Sequence, residues 1–174
     1  MRNKLFLHFT SATETALVSV WESLRSALPE VEVMLGEAIV PAKSSVDTVR
    51  KQYDATYLLK QIPPNTDDFL SLWIVSEDLF APGKLFIFGA AGEHKAVVST
   101  FMLDTMKAVG NVAVHEACHM LGLPHCSGSC IMLPVRTSEE AEKRPLSLCS
   151  TCRNELDKKY IARDGMTTGE KAAV

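Results

Sequence analysis

The chain has 174 residues and a formal net charge of -3, with 47% of its residues hydrophobic and 22% charged. That composition excludes collagen, intrinsic disorder and a long coiled coil, and the acidic balance removes any general electrostatic case for nucleic acid or an anionic membrane as partner. The length fits one domain with at most a small extra lobe. No apolar run reaches the ~18 residues of a membrane span, and the apolar start is broken by His8 and followed by Thr10, Ser11 and Thr13, unlike an export signal. The expectation is a globular, cytoplasmic, monomeric protein.

Lys4 to Phe9 alternates, with Leu5, Leu7 and Phe9 on one face, and predicts a strand. Ser11 and Glu14 are spaced as a capping box. Behind them Leu17, Val20, Trp21, Leu24 and Leu28 recur at helical spacing until Pro29, which predicts a helix backing a sheet. Val31 to Val40 has β character and ends at Pro41. Asp47 to Ile62 is ambiguous; Val49, Tyr53 and Tyr57 favour a helix, closed by Pro63-Pro64. Phe69 to Phe80 opens as a strand, Pro82-Gly83 marks a turn, and Leu85 to Phe88 predicts a short strand ending at Gly89. Ala96 to Leu103 is a further strand, and Asp104 is placed to cap a helix running through Leu121. Beyond Gly122 the chain is turn-rich. Ser138 to about Ala162 predicts a charged helix, and Asp164 to Val174 a frayed tail. The order predicts an α/β (α+β) fold ending in a β-meander.

The cysteines and histidines are clustered. Cys118, Cys126, Cys130, Cys149 and Cys152 lie in the last third together with His115, His119 and His125. In a reducing compartment such clustering points to metal before disulfides. His115-Glu116-x-x-His119 sits on the predicted helix, where residues four apart differ by about 40° of rotation, so both imidazoles face one way and can grip one zinc ion. Glu116 adjoins the first ligand and can reach a water on the metal. A continuing helix would carry His125 away, but Gly122 stands where a helix ends in the left-handed conformation and Pro124 prevents its resumption. The bend returns His125 as a third ligand and leaves a fourth position for water, the open coordination of a catalytic zinc.

The run His115 to His125 resembles the metzincin clan of zinc peptidases. With His125-Cys126, Cys130-Ile131-Met132 and Cys149-Ser-Thr-Cys152, it is similar to the archaemetzincins. The Cys126–Cys130 spacing is one residue shorter than that family's. The resemblance implies a twisted mixed sheet of about five strands with a backing helix and an active-site helix. It implies a body of residues 1–125 and a small zinc-stapled lobe of residues 126–174. It also makes Met132 the Met-turn residue beneath the catalytic zinc. A tyrosine that several metzincins place two residues further on is here Pro134.

Cys126, Cys130, Cys149 and Cys152 form two short-spaced pairs, the pattern of a closed Cys₄ structural zinc, so two zinc ions per chain are expected. A redox role for Cys149-x-x-Cys152 is the weaker reading, and Cys118 is placed as a small buried hydrophobe. The predicted reaction is hydrolysis of a peptide bond in a peptide or protein substrate, with Glu116 as general base. Ala96 to Thr100 is the candidate edge strand for an extended peptide, and Glu93 the candidate anchor for a free amine. The alternative is a non-catalytic zinc module with a vestigial site. Nucleic acid is disfavoured because Arg136, Lys143 and Arg144 are offset by Glu139, Glu140 and Glu142.

Overall fold

The computed structural model describes residues 4–64 and 69–167. In chain order it runs β1 (Lys4–Phe9), a 3₁₀ turn (Ser11–Ala16), α1 (Leu17–Ala27), β2 (Glu32–Ala38), β3 (Val46–Asp47), β4 (Gln52–Asp54), α2 (Ala55–Gln61), β5 (Leu70–Val75), β6 (Leu79–Phe80), β7 (Gly89–Ala91), β8 (Lys95–Ser99), α3 (Met106–Met120), α4 (Ser138–Lys143) and α5 (Ser150–Thr167). A five-stranded mixed sheet has the order β2-β1-β5-β8-β7. Its first four strands are parallel and β7 is antiparallel to β8.

Strand β5 shows why the sheet is central. All six of its residues are buried. Leu70, Leu72 and Ile74 join the larger core with α1 and α3, whereas Trp73 and Val75 join a second core with Ala55 and Leu58 of α2. Successive side chains point to opposite faces of a strand, so a strand covered on both faces is almost wholly apolar, Ser71 being the one polar residue of β5. The fold is three-layered at this point, with α1 and α3 on one face and α2 on the other.

Several local expectations are corrected. The first cap lies at Thr10 rather than Ser11, with the Thr13 hydroxyl accepting from Thr10 N–H at 3.1 Å, and the first turn is 3₁₀. Thr13 Oγ1 also reaches Ile74 O at 3.0 Å, a tertiary bond that outweighs the Ser11–Glu14 spacing. Helix α3 is capped by Thr105, whose hydroxyl accepts from Ala108 N–H at 3.1 Å, rather than by Asp104. The stretch 47–62 divides into β4 and α2, and β3, β4 and β6 make a small second sheet. Leu85 to Phe88 is not a strand; Ile87 makes one bridge to Leu79, and the strand begins where it was expected to end, at Gly89. The predicted helix 138–162 is two helices, α4 and α5. The predicted tail lies in α5 as far as Thr167, and 168–174 fall outside the described residues.

β8, expected to be an edge, lies between β5 and β7, so the edge nearest α3 is β7. The carboxy-terminal region is fastened to the body where Arg153 of α5 bonds Glu30 at 2.6 Å and Ala27 O at 2.9 Å, at the end of α1.

Candidate metal centres and cleft

Helix α3 carries His115, Glu116 and His119 into the interior and stops where the sequence predicts. Gly122 has φ +86°. Its N–H donates to His119 O at 2.8 Å, and Leu123 N–H donates to Cys118 O at 3.0 Å, the paired bonds of a Schellman termination. The reversal brings His125 back beside the helix. The His115 and His125 rings stand 5.3 Å apart, and those of His119 and His125 4.8 Å.

The hydrogen bonds define how the imidazoles are presented. His115 Nδ1 pairs with Ile131 O and His119 Nδ1 with Leu123 O, each at 2.8 Å. Nδ1 is therefore the protonated nitrogen in each ring, and Nε2 carries a lone pair. Those two Nε2 atoms face one another at 3.1 Å. Two lone pairs at that distance repel, and a shared cation resolves them; nitrogens at ~2.0–2.1 Å from one zinc ion stand about 3.3 Å apart in a tetrahedral set. Nitrogen atoms of all three histidines lie within 4.8 Å of one another. The donor set fits zinc. Burial holds the His115 ring well below its ordinary range, at about 3, despite the bond to Ile131, and burial likewise lowers His119.

The four cysteines also converge, with their sulfur atoms within 4.8 Å of one another. Cys126 and Cys149 Sγ are 3.9 Å apart, far beyond a covalent ~2.05 Å and close to the edge of a tetrahedron with ~2.3 Å zinc–sulfur bonds. Gly128 N–H donates to Cys126 Sγ and Cys149 N–H to Cys130 Sγ, each at 3.3 Å. The short Cys126–Cys130 spacing is accommodated without loss of the cluster. Cys149 immediately precedes α5, but irregular chain rather than a strand leads into it. The Cys149 thiol is pulled down to about 7, foremost by the Cys152 N–H, whereas burial raises Cys152. Cys118 is fully buried, its thiol pushed up to about 12.

Both clusters share one connection. Cys126 N–H donates to Met132 O at 3.0 Å, and Met132 is completely buried. The neighbouring Ile131 O is the acceptor that holds His115. The turn carrying Met132 therefore touches the histidine site and the cysteine site at once.

Beside the histidines lies a cleft of about 710 Å³. The segment 83–89 and residues 134–136 line it together with Val112, His115, Glu116, His125 and Arg144. Glu116 is 7% exposed, and burial raises its carboxyl to about 8 against the opposing charge of Arg144. Gly89 leaves the space that this position occupies. A Cβ there would fall 2.8 Å from Glu116 Cγ and 2.9 Å from both Glu116 Oε1 and Val97 O. Glu93, by contrast, is 90% exposed beside His94 and does not line the cleft, so it is corrected as an amine anchor.

Three residues of this arrangement were not anticipated. Arg144 is 5% exposed; its Nη1 donates to Leu133 O at 2.7 Å and lies 3.1 Å from His115 Nδ1, and its Nη2 donates to Asn111 O at 3.2 Å. Asn111 Nδ2 lies within 2.8–3.3 Å of the carbonyls of Ala141, Glu142 and Arg144. Gly89 is the third. A signal existed for Asn111, because positions 111, 115 and 119 share one helix face. Arg144 sits in a charged stretch that marks nothing.

An open three-histidine site with a buried glutamate alongside, under a mixed sheet whose edge borders a cleft, is that of a zinc metallopeptidase. Residues 8–158 match the model of Peptidase family M54, and the chain belongs to that family. It is 32% identical over 146 residues to the archaemetzincin of Archaeoglobus fulgidus, covering 78% of this chain and 89% of that protein. The crystal structure of the Methanopyrus kandleri archaemetzincin is similar with a TM-score of 0.80 at 28% identity, covering 92% of this chain and 96% of that one. A zinc-dependent peptidase from Methanocorpusculum labreanum has a TM-score of 0.78 at 25% identity, covering 87% and 99%. The protein is thus a zinc metallopeptidase of archaemetzincin type acting on peptide substrates. Among the described residues no helix is long and apolar enough to cross a membrane.

Proposed function

We propose that His115, His119 and His125 hold the catalytic zinc, that Cys126, Cys130, Cys149 and Cys152 hold a second, structural zinc, and that Glu116 is the general base of peptide hydrolysis. The observation that carries this reading is the pair of facing Nε2 lone pairs at 3.1 Å with a buried carboxylate on the adjoining residue. Zinc bound there supplies a Lewis acid for the scissile carbonyl and lowers the pKa of a water in the site. Glu116 takes the proton of the attacking water and returns it to the departing amine nitrogen. Gly89 and the α3 backbone hold that carboxylate in place, and Ile131 O and Leu123 O keep each imidazole in the tautomer with Nε2 free. The residue two positions after Met132 is Pro134 rather than a tyrosine, so no hydroxyl stands there to assist at the scissile carbonyl.

The substrate lies extended along the outer edge of β7 and the 83–89 segment before it, pairing through its main chain. Residues 1–125 act as the body and 126–174 as a stapled lobe whose Met132 turn supports the histidines. Each chain carries a complete site and works as a monomer. Five cysteines, none in a disulfide among the described residues, suit a reducing, cytoplasmic setting. The test is Glu116→Gln in metal-replete protein. Turnover is expected to fall by about 10³-fold or more, towards the upper range for loss of a general base, with zinc content unchanged. Retained turnover at full metal content refutes the assignment.

A further inference from the structure

The charges around the cleft do not follow the composition of the chain. The chain as a whole is acidic, at -3. Yet Lys84, Arg136 and Arg144 line the cleft, and Glu116 is the one carboxylate among its lining residues. The acids of α4 do not line the cleft: Glu140 accepts from the Arg136 backbone N–H at 2.7 Å, Glu139 pairs with Lys143, and Glu142 is likewise absent from the lining. The metal would add positive charge of its own.

We infer that this cleft selects peptides bearing a carboxylate within about two residues of the scissile bond. The inference rests on the peptidase reading of the same cleft and names its substrate class. Arg144 carries most of the argument. Its guanidinium is fixed from two sides, by Leu133 O and Asn111 O, and its Nε has no hydrogen-bond partner among the described residues. A cation held rigidly in a wall of low dielectric keeps a longer reach than a solvated one, and a cleft lined by one sign concentrates ligands of the other. Arg136 and Lys84, both exposed and both lining the cleft, add two further positive charges to its field. A free amine finds no matching group, since the single carboxylate is the one engaged in proton transfer. Recognition of an amino terminus is therefore disfavoured, and recognition of acidic side chains or of a carboxy terminus is favoured.

The test uses the zinc-loaded protein and sets of hexapeptides with Glu, Gln or Lys at each position in turn, every peptide made as the free acid and as the amide. For the preferred position, kcat/KM is expected to be about tenfold higher with Glu than with Gln and lower still with Lys, on the scale of one close charge contact. The advantage should shrink towards parity in about 1 M NaCl, where the Debye length is about 3 Å. A dependence on the free acid alone identifies the carboxy terminus as the source of the carboxylate; a dependence on internal Glu identifies the side chain. Arg136→Glu, an exposed change, should bring the Glu/Gln ratio to unity or below, and Arg144→Met should reduce it. Equal rates with Glu and Gln at low salt, a preference for Lys, or a ratio unmoved by Arg136→Glu overturns the inference while leaving the peptidase reading intact. Should metal-replete protein cleave nothing, the peptidase reading fails, and fluorescence anisotropy with the same labelled peptides decides the inference: tighter binding of Glu than Gln peptides sustains it, equal binding ends it.

Discussion

Replacing Gly89 with alanine tests how closely the catalytic carboxylate depends on the edge of the sheet. The new methyl carbon would sit 2.8 Å from Glu116 Cγ and 2.9 Å from its Oε1, where non-bonded carbon atoms prefer ~3.5–4.0 Å. One of the two groups must give by about an ångström. Val97 O, 2.9 Å from the same point, is backbone of the paired strand β8, so the edge strand must shift as well as the Glu116 side chain. A displacement of that size at a reacting group costs about 10²-fold in rate, or about 2.7 kcal/mol of transition-state stabilisation. Overpacking of this kind costs about 1–3 kcal/mol of stability. The assay is kcat on a cleavable peptide, beside zinc content and thermal unfolding. Gly92→Ala is the control, because a Cβ there meets nothing closer than Lys95 O at 3.8 Å. A Gly89→Ala protein with native zinc content and a kcat within threefold of native would refute the claim that this glycine sets the position of Glu116.

Three further outcomes are expected. Asn111→Ala removes the one amide that serves three carbonyls between α3 and the 141–144 segment, and should cost about 2–3 kcal/mol in denaturant unfolding, the scale of buried polar groups left unsatisfied. Cys149→Ser should lower the zinc content by one ion per chain and destabilise the carboxy-terminal lobe, because metal binding to such a cluster is folding free energy; metal analysis showing two ions still bound would contradict the four-cysteine assignment. His8 should make the fold sensitive to acid. Its ring is buried, accepts from Glu37 N–H at 3.0 Å and is held below the ordinary imidazole range by burial. The folded state prefers the neutral ring, so its contribution is present above the unfolded value of about 6.5 and is lost as pH falls from there towards the lower folded value. Unfolding free energies measured between pH 7.5 and 5 should decline less steeply in His8→Gln than in the native protein.

The candidate site was legible in the chain to the extent that its geometry is local. His115 and His119 share a face because of helical periodicity alone, and Gly122 with Pro124 ends the helix through backbone restrictions of those residues. The convergence of Cys126 and Cys130 with Cys149 and Cys152 follows from short loops within each pair and the chemistry of thiols. Apolar periodicity likewise marked β1, α1, β5 and α3, since a stripe at period two or 3.6 must face a core.

What the tertiary structure alone decided is where long-range contacts outweigh local preference. Thr13 chose Ile74 O, sixty-one residues away, over a local box at Ser11. The order of the strands placed β8 inside and β7 at the edge, because β8 pairs in parallel with β5, a strand far away in the chain, and antiparallel with β7 on its other side. Gly89 meets Glu116, and Arg144 meets His115, only after a sheet edge, a helix and a lobe have packed together. The amino-acid sequence thus determined the ligands and the bend that gathers them, because those depend on torsions of neighbouring residues. The walls of the cleft, its charge and the seating of its carboxylate were left to packing, because they are formed by side chains far apart in the chain that meet only when the core closes.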